Sequence, residues 1–155
     1  MHPRRPGLVA RCLAASVVAL APVPASAGPS YRPPTDRPVV QPFDLSRGPY
    51  GPGNRGLDYG VRPGDPIAAI GAGTVVFAGA VAGSRFVTVL HPDGLRSSYS
   101  YLDRIDVEVG RAVTAGQVIG TSSGRFQLGV RRRSTYIDPA PLLARLRPRH
   151  ARLVR

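Results

Sequence analysis

Between residues 56 and 130 the chain alternates short apolar runs with glycine-marked breaks. The runs are Pro66 to Ile70, Thr74 to Val81, Arg85 to His91, Leu95 to Leu102, Gln117 to Gly120 and Phe126 to Arg131. Each is too short for a helix and rich in β-branched or aromatic residues, so the pattern predicts strands. Pro92-Asp93-Gly94 lies between two of them and supplies a fixed φ, a local side-chain acceptor and a residue tolerant of positive φ. The flanking runs, 85 to 91 and 95 to 102, are predicted to pair antiparallel. An internal echo aligns Val61-Arg62-Pro63-Gly64-Asp65-Pro66-Ile67 with Val107-Glu108-Val109-Gly110-Arg111-Ala112-Val113. It predicts a duplicated half-motif in an all-β sandwich or barrel-like domain. From Asp138 the pattern changes: aspartate can cap, Pro139 suits a first turn, and Leu142, Leu143 and Leu146 fall on one side, predicting one short C-terminal helix.

The flanks read differently. Residues 28–53 are rich in proline and glycine with little periodicity, and predict an extended lead-in anchored by Val39, Val40 and Phe43. Residues 1–27 carry Arg4, Arg5 and Arg11, an apolar run from Cys12 to Ala21, and Ala25-Ser26-Ala27, the anatomy of a secretory signal. A membrane anchor needs about 20 apolar residues, and this run is broken by Pro22 and Pro24. No membrane span is expected once the signal is removed. The working division is a signal at 1–27, a lead-in at 28–53, a domain at 54–146 and a basic tail at 147–155.

Composition narrows the chemistry. The net charge is +12 and every basic residue is arginine. After removal of the leader, 18 basic residues face nine acidic ones, a formal +9. Such a balance favours a polyanionic neighbour, or else reflects a solvated arginine-rich surface. No aromatic and basic residues interleave as in a nucleic-acid module, so nucleic acid is not an expected partner. Cys12 is the sole cysteine, so the mature domain holds no disulfide.

Two resemblances follow from motifs. Residues 107 to 120, V-E-V-G-R-A-V-T-A-G-Q-V-I-G, resemble the half-motif of biotinyl and lipoyl carrier domains, which require a modified lysine. This chain has no lysine, so that role is chemically excluded. From about Pro42 to Leu143 the chain resembles the LytM or lysostaphin-type zinc endopeptidases. Asn54-Arg55-Gly56-Leu57-Asp58 stands where the family has H-R-G-L-D, Ser98-Tyr99-Ser100-Tyr101-Leu102 where it has T-Y-x-H-L, and Arg125-Phe126-Gln127-Leu128-Gly129-Val130-Arg131 where it has H-L-H-[FW]-G-V-R. Tyr136-Ile137-Asp138-Pro139 agrees with the family's ending.

The resemblance implies a LytM-type fold with metal-ligand positions Asn54, Asp58 and Gln127, and catalytic-histidine positions Tyr101 and Arg125. Only Asp58 keeps its family identity. Carboxamides compete poorly with water for zinc, so no catalytic residue, metal or other cofactor is expected. His91 and His150 fall at no position the family uses. Strand alternation places Arg125 with Gln127, and Tyr99 with Tyr101, and the implied groove comprises Asn54, Asp58, Tyr99, Tyr101, Arg125 and Gln127. In one reading Arg125 pairs with Asp58 in place of a metal; in the other it points to solvent. The tyrosines are either groove or packing residues. The expected function is a secreted, non-catalytic module in peptidoglycan binding or in regulation of cell-wall hydrolases, with peptidoglycan or such a hydrolase as partner. The alternative is a zinc metalloendopeptidase cleaving peptidoglycan cross-links.

Overall fold

A computed structural model describes residues 29–144 of the chain. The predicted signal, Cys12, the end of the predicted helix, the basic tail and His150 lie outside the described residues. The ordered elements are β1 (Val39–Gln41), β2 (Gly56–Tyr59), β3 (Pro63–Ala68), β4 (Gly73–Val81), β5 (Ser84–Leu90), β6 (Leu95–Ile105), β7 (Ala112–Val113), β8 (Val118–Arg132), β9 (Thr135–Ile137) and α1 (Ala140–Ala144). The fold is all-β with one short helix, as the sequence pattern predicts. All strand pairs are antiparallel and join one sheet in the order β1-β2-β8-β6-β5-β4-β7, with β3 and β9 also paired to β8.

The β5–β6 hairpin forms where Pro92-Asp93-Gly94 predicts it. Gly94 takes φ 84°, its N–H donates to the His91 carbonyl at 3.0 Å, and Asp93 Oδ1 accepts from the Leu95 N–H at 3.1 Å. The internal echo also has a physical counterpart. Gly64 and Gly110 both adopt positive φ, 85° and 88°, and each is followed by a residue whose N–H closes a turn: Asp65 to Arg62 and Arg111 to Glu108. Ile67 and Val113, the seventh members of the two copies, are both core residues.

Two runs predicted as separate strands form the single strand β8. Between them, Ser122 Oγ accepts the Gly124 N–H at 3.0 Å and donates to the Arg125 carbonyl at 3.3 Å. These side-chain bonds stand in for missing ladder bonds, so the strand kinks without ending. β8 is thereby long enough to pair with β3 and the end of β6 along its first half, and with β2, β9 and the start of β6 along its second.

The lead-in differs from its prediction. Val39 and Val40 are exposed, and only Phe43 of the three expected anchors packs against the core. Tyr31 and Pro34 are the buried residues instead. Proline removes donors but keeps carbonyls, and the lead-in uses them: Pro34 accepts from the Ala68 N–H and Pro38 from the Gly60 N–H, while Arg32 N–H donates to the Ile70 carbonyl at 2.7 Å. A two-pronged Arg37–Asp65 pair, at 2.8 and 2.9 Å, fastens the same stretch. Asp65 falls to about 2, first through the Arg37 guanidinium and then through the Arg62 N–H. At the other end, Asp138 Oδ1 caps α1 by accepting from the Ala140 N–H at 2.9 Å.

Candidate functional site

Strands β6 and β8 have two faces, set by alternation. Ser97, Tyr99, Phe126, Leu128 and Val130 point into the core, whereas Arg96, Ser98, Ser100, Arg125 and Gln127 point outward. The register places Asp58 opposite Gln127, and Gln127 opposite Ser100. Two of the family's three ligand positions thus gather on adjoining strands, and the third, Asn54, lies just before β2, bridged to Asp44.

There, two carboxamides and one carboxylate form a hydrogen-bonded chain, Gln127–Asn54–Asp58. Asn54 is 4% exposed. Its Oδ1 accepts from Gln127 Nε2 at 2.7 Å. Its Nδ2 donates to the Pro42 carbonyl at 3.1 Å, and to the Gln41 carbonyl and Asp58 Oδ2, both at 3.3 Å. The amide orientation is fixed by these partners, because the reverse would set Oδ1 against three acceptor oxygens. The lead-in carbonyls of Gln41 and Pro42 therefore reach the centre of the site.

This arrangement does not fit zinc. A zinc centre needs donor lone pairs from nitrogen, sulfur or carboxylate converging on one point. Here the Asn54 nitrogen carries protons, its oxygen is engaged by Gln127, and Asp58 is the single strong donor. Among the described residues no three of His, Cys, Asp and Glu cluster in a way that could hold a metal ion.

Beside this set, Tyr101 adopts φ 68° at a bulge between Ser100 and Leu102. Positive φ is costly for a bulky residue and persists only where the surroundings hold it. Ser123 Oγ donates to the Tyr101 carbonyl at 2.8 Å, and the Arg125 guanidinium lies 4.2 Å above the ring centroid. The Phe86 ring packs against that of Tyr101, 6.0 Å between centroids at an interplanar angle of 53°. The ion pairs among the described residues are Arg37–Asp65 and Arg104–Asp106, so Arg125 and Asp58 do not pair. Tyr101 supplies Arg125 with a nearer partner, its aromatic face.

Tyr99 is not a groove residue. It has no exposure, and the bulge at Tyr101 breaks the alternation that puts the two tyrosines on one face. Its hydroxyl belongs to an internal chain. Ile70 N–H donates to Tyr99 Oη at 2.8 Å, the Tyr99 and Ser97 hydroxyls are 3.0 Å apart, and Ser97 Oγ lies 2.8 Å from His91 Nε2. His91 Nδ1 donates to the Ala72 carbonyl at 2.7 Å. Burial lowers the His91 pKa and favours the neutral ring. Since a carbonyl only accepts, the proton sits on Nδ1, Nε2 accepts from Ser97, and Ser97 accepts from Tyr99. Burial pushes the Tyr99 phenol up to about 12. Tyr31 stands edge-on to His91, and its hydroxyl donates to Asp93 Oδ2 at 2.7 Å.

Of the six residues of the expected groove, the structure brings together Asn54, Asp58 and Gln127, and separately Tyr101 and Arg125, and buries Tyr99. The sequence reading missed Phe86, Phe77 and Ser123. Phe86 alternates with core residues Val87 and Val89, which was the available signal for an outward ring. Ser123 gave none, because its role depends on the bulge.

Comparison with known proteins gives a consistent picture. The sequence pattern of peptidase family M23 matches residues 52–139. The chain is 48% identical over 82 residues to the uncharacterized protein Rv2891 of Mycobacterium tuberculosis, covering 53% of this chain and 32% of that one. It is 34% identical over 118 residues to the murein hydrolase activator NlpD of Salmonella dublin, covering 71% and 30%. The solved structure of the antimicrobial peptidase lysostaphin from Staphylococcus simulans superposes with a TM-score of 0.60 at 28% identity, covering 76% and 55%. The chain spans about a third of the length of these two curated relatives.

Proposed function

Because the chain belongs to peptidase family M23, and because its ligand positions are closed by amides, we propose that it is a non-catalytic member acting in the cell envelope. In this reading it binds peptidoglycan or regulates a cell-wall hydrolase. The observation that carries the reading is the Gln127–Asn54–Asp58 hydrogen-bond chain, which engages both ends of the buried Asn54 amide, leaves Asp58 as the single strong metal donor and offers no general base of the family's type. Similarity to a murein hydrolase activator supports a regulatory role over a hydrolytic one. Export through the signal at residues 1–27 completes the proposal. Among the described residues no helix is long and apolar enough to cross a membrane.

The experiment is elemental analysis of the purified chain, joined to incubation with peptidoglycan sacculi alone and with a murein hydrolase present. Expected are no stoichiometric zinc, no release of soluble fragments by the chain alone, and either co-sedimentation with sacculi or faster release by the hydrolase. Stoichiometric zinc together with cleavage abolished by Asp58→Ala would falsify the proposal.

A further inference from the structure

The open outer face of β4, β5 and β6 carries more aromatic surface than a solvated sheet needs. Gly79 pairs with Phe86, and the Phe77 ring tip lies 3.6 Å from where a side chain on Gly79 would begin. Phe77 is 39% exposed. Phe77, Phe86 and Tyr101 therefore line one continuous strip across three strands, and the absence of a side chain on Gly79 lets the Phe77 ring tip lean over it. Arg125 closes the strip. One face of its guanidinium rests on Tyr101, no carboxylate of the described residues pairs with it, and its in-plane N–H groups remain available.

We infer that this strip is the docking surface for a polypeptide segment of a protein partner that presents an apolar side chain beside a carboxylate. The inference rests on the reading of the chain as a non-catalytic module and names the chemistry of its partner. The apolar side chain lies across the exposed Phe77 and the neighbouring Phe86 ring, while the carboxylate meets the edge of Arg125. Charge complementarity selects an acidic group, because the guanidinium is held in place but unneutralised. Stacked on an aromatic ring, it loses little further freedom on binding. Aromatic and arginine anchors of this kind dominate protein interfaces. A glycan fits less well. Sugar rings stack on an open, flat aromatic face, whereas Phe86 and Tyr101 are inclined at 53° and Tyr101 already carries the guanidinium on one side. A uniformly charged polyanion fits poorly too, since Asp58 stands on a neighbouring strand of the same sheet.

The test is a titration of the isotope-labelled full chain, followed by backbone amide NMR. The probe is a capped five-residue peptide with leucine and glutamate two positions apart, compared with its glutamine counterpart and with a chitin tetrasaccharide. Expected are saturable shifts at the Gly79, Phe86 and Tyr101 amides, with affinity about tenfold higher for the glutamate peptide, the size of one charge-assisted hydrogen bond. Arg125→Ala, checked for an unchanged fold by its own spectrum, should abolish that preference, and Arg125→Lys should restore part of it. Equal binding of the two peptides, absence of saturable shifts at those amides, or tighter seating of the tetrasaccharide there would each overturn the inference. The sacculus and hydrolase assays read the underlying function separately. A bound peptide with no effect on sacculi or hydrolase sinks only the functional reading, and hydrolase stimulation with no peptide on the strip sinks only this one.

Discussion

The two faces of β6 and β8 carry polar networks built from neighbouring residues, yet the networks differ in kind. On the inward face, Ser97, Tyr99 and His91 form a directional chain of single donors and single acceptors, sealed from water at 3% exposure or less. On the outward face, Asn54, Gln127 and Asp58 share multivalent amide and carboxylate groups, next to an arginine whose N–H groups meet no acceptor among the described residues. Inside, each donor and each acceptor has one partner and no substitute, so loss of a member strands a buried polar atom. Outside, Asn54 is buried but Gln127 and Asp58 are partly exposed, so water can replace either of those two when it is lost. The inner chain accordingly specifies the core, and the outer site is free to change ligands without loss of the fold.

That contrast is broken or sharpened most strongly by neighbouring truncations on β8. Leu128→Ala removes a fully buried side chain and should cost about 2–5 kcal/mol in urea unfolding. A cost below about 1 kcal/mol would mean that the inward face is less tightly packed than its burial implies. Next in size, Tyr99→Phe deletes the hydroxyl that accepts from Ile70 N–H, and should cost about 1–3 kcal/mol while leaving any ligand binding intact.

A smaller effect follows from His91. Its folded pKa lies below the ordinary 6.5 because burial disfavours the charged ring, so above pH 6.5 neither state binds the proton. As pH falls below 6.5 the unfolded chain takes up a proton that the native chain refuses, and stability declines until the native pKa is reached. Protonation at Nε2 would also oppose the Ser97 donor and leave the Tyr99 hydroxyl proton without an acceptor. Thermal midpoints measured from pH 7.5 to 5 should fall, and the slope should shrink in His91→Gln; an equal slope in that variant would assign the effect elsewhere. Asp65 acts separately: with a folded pKa of about 2, its contribution is present above the ordinary carboxylate range and disappears as pH falls through about 2.

The smallest change is expected on the outward side. Gln127→Ala breaks one amide contact to Asn54 and should cost about 0.5–1.5 kcal/mol, with water taking the place of the lost group. A loss as large as that of Leu128→Ala would erase the distinction between the faces.

How much of this was legible in the sequence depends on the range of the cause. Strand alternation, the Pro92-Asp93-Gly94 turn, the paired glycine turns at Gly64 and Gly110, and the Asp138 cap are local matters of φ, ψ and nearest hydrogen bonds, and the residues themselves specify them. The motifs at 54–58, 98–102 and 125–131 likewise marked the family and the replaced ligands, because spacing along strands survives the loss of side-chain identity. Tertiary structure alone decided three things. It seated Tyr31 and Pro34, not Val39 and Val40, because the backbone bonds and the one ion pair that fasten the lead-in decide which of its apolar side chains face the core. It turned Tyr99 inward and Tyr101 outward by a single bulge held from Ser123, a residue 22 positions away. And it gave Arg125 to an aromatic ring in place of Asp58, since which partner a long side chain meets depends on strands that the sequence does not bring together until the sheet has formed.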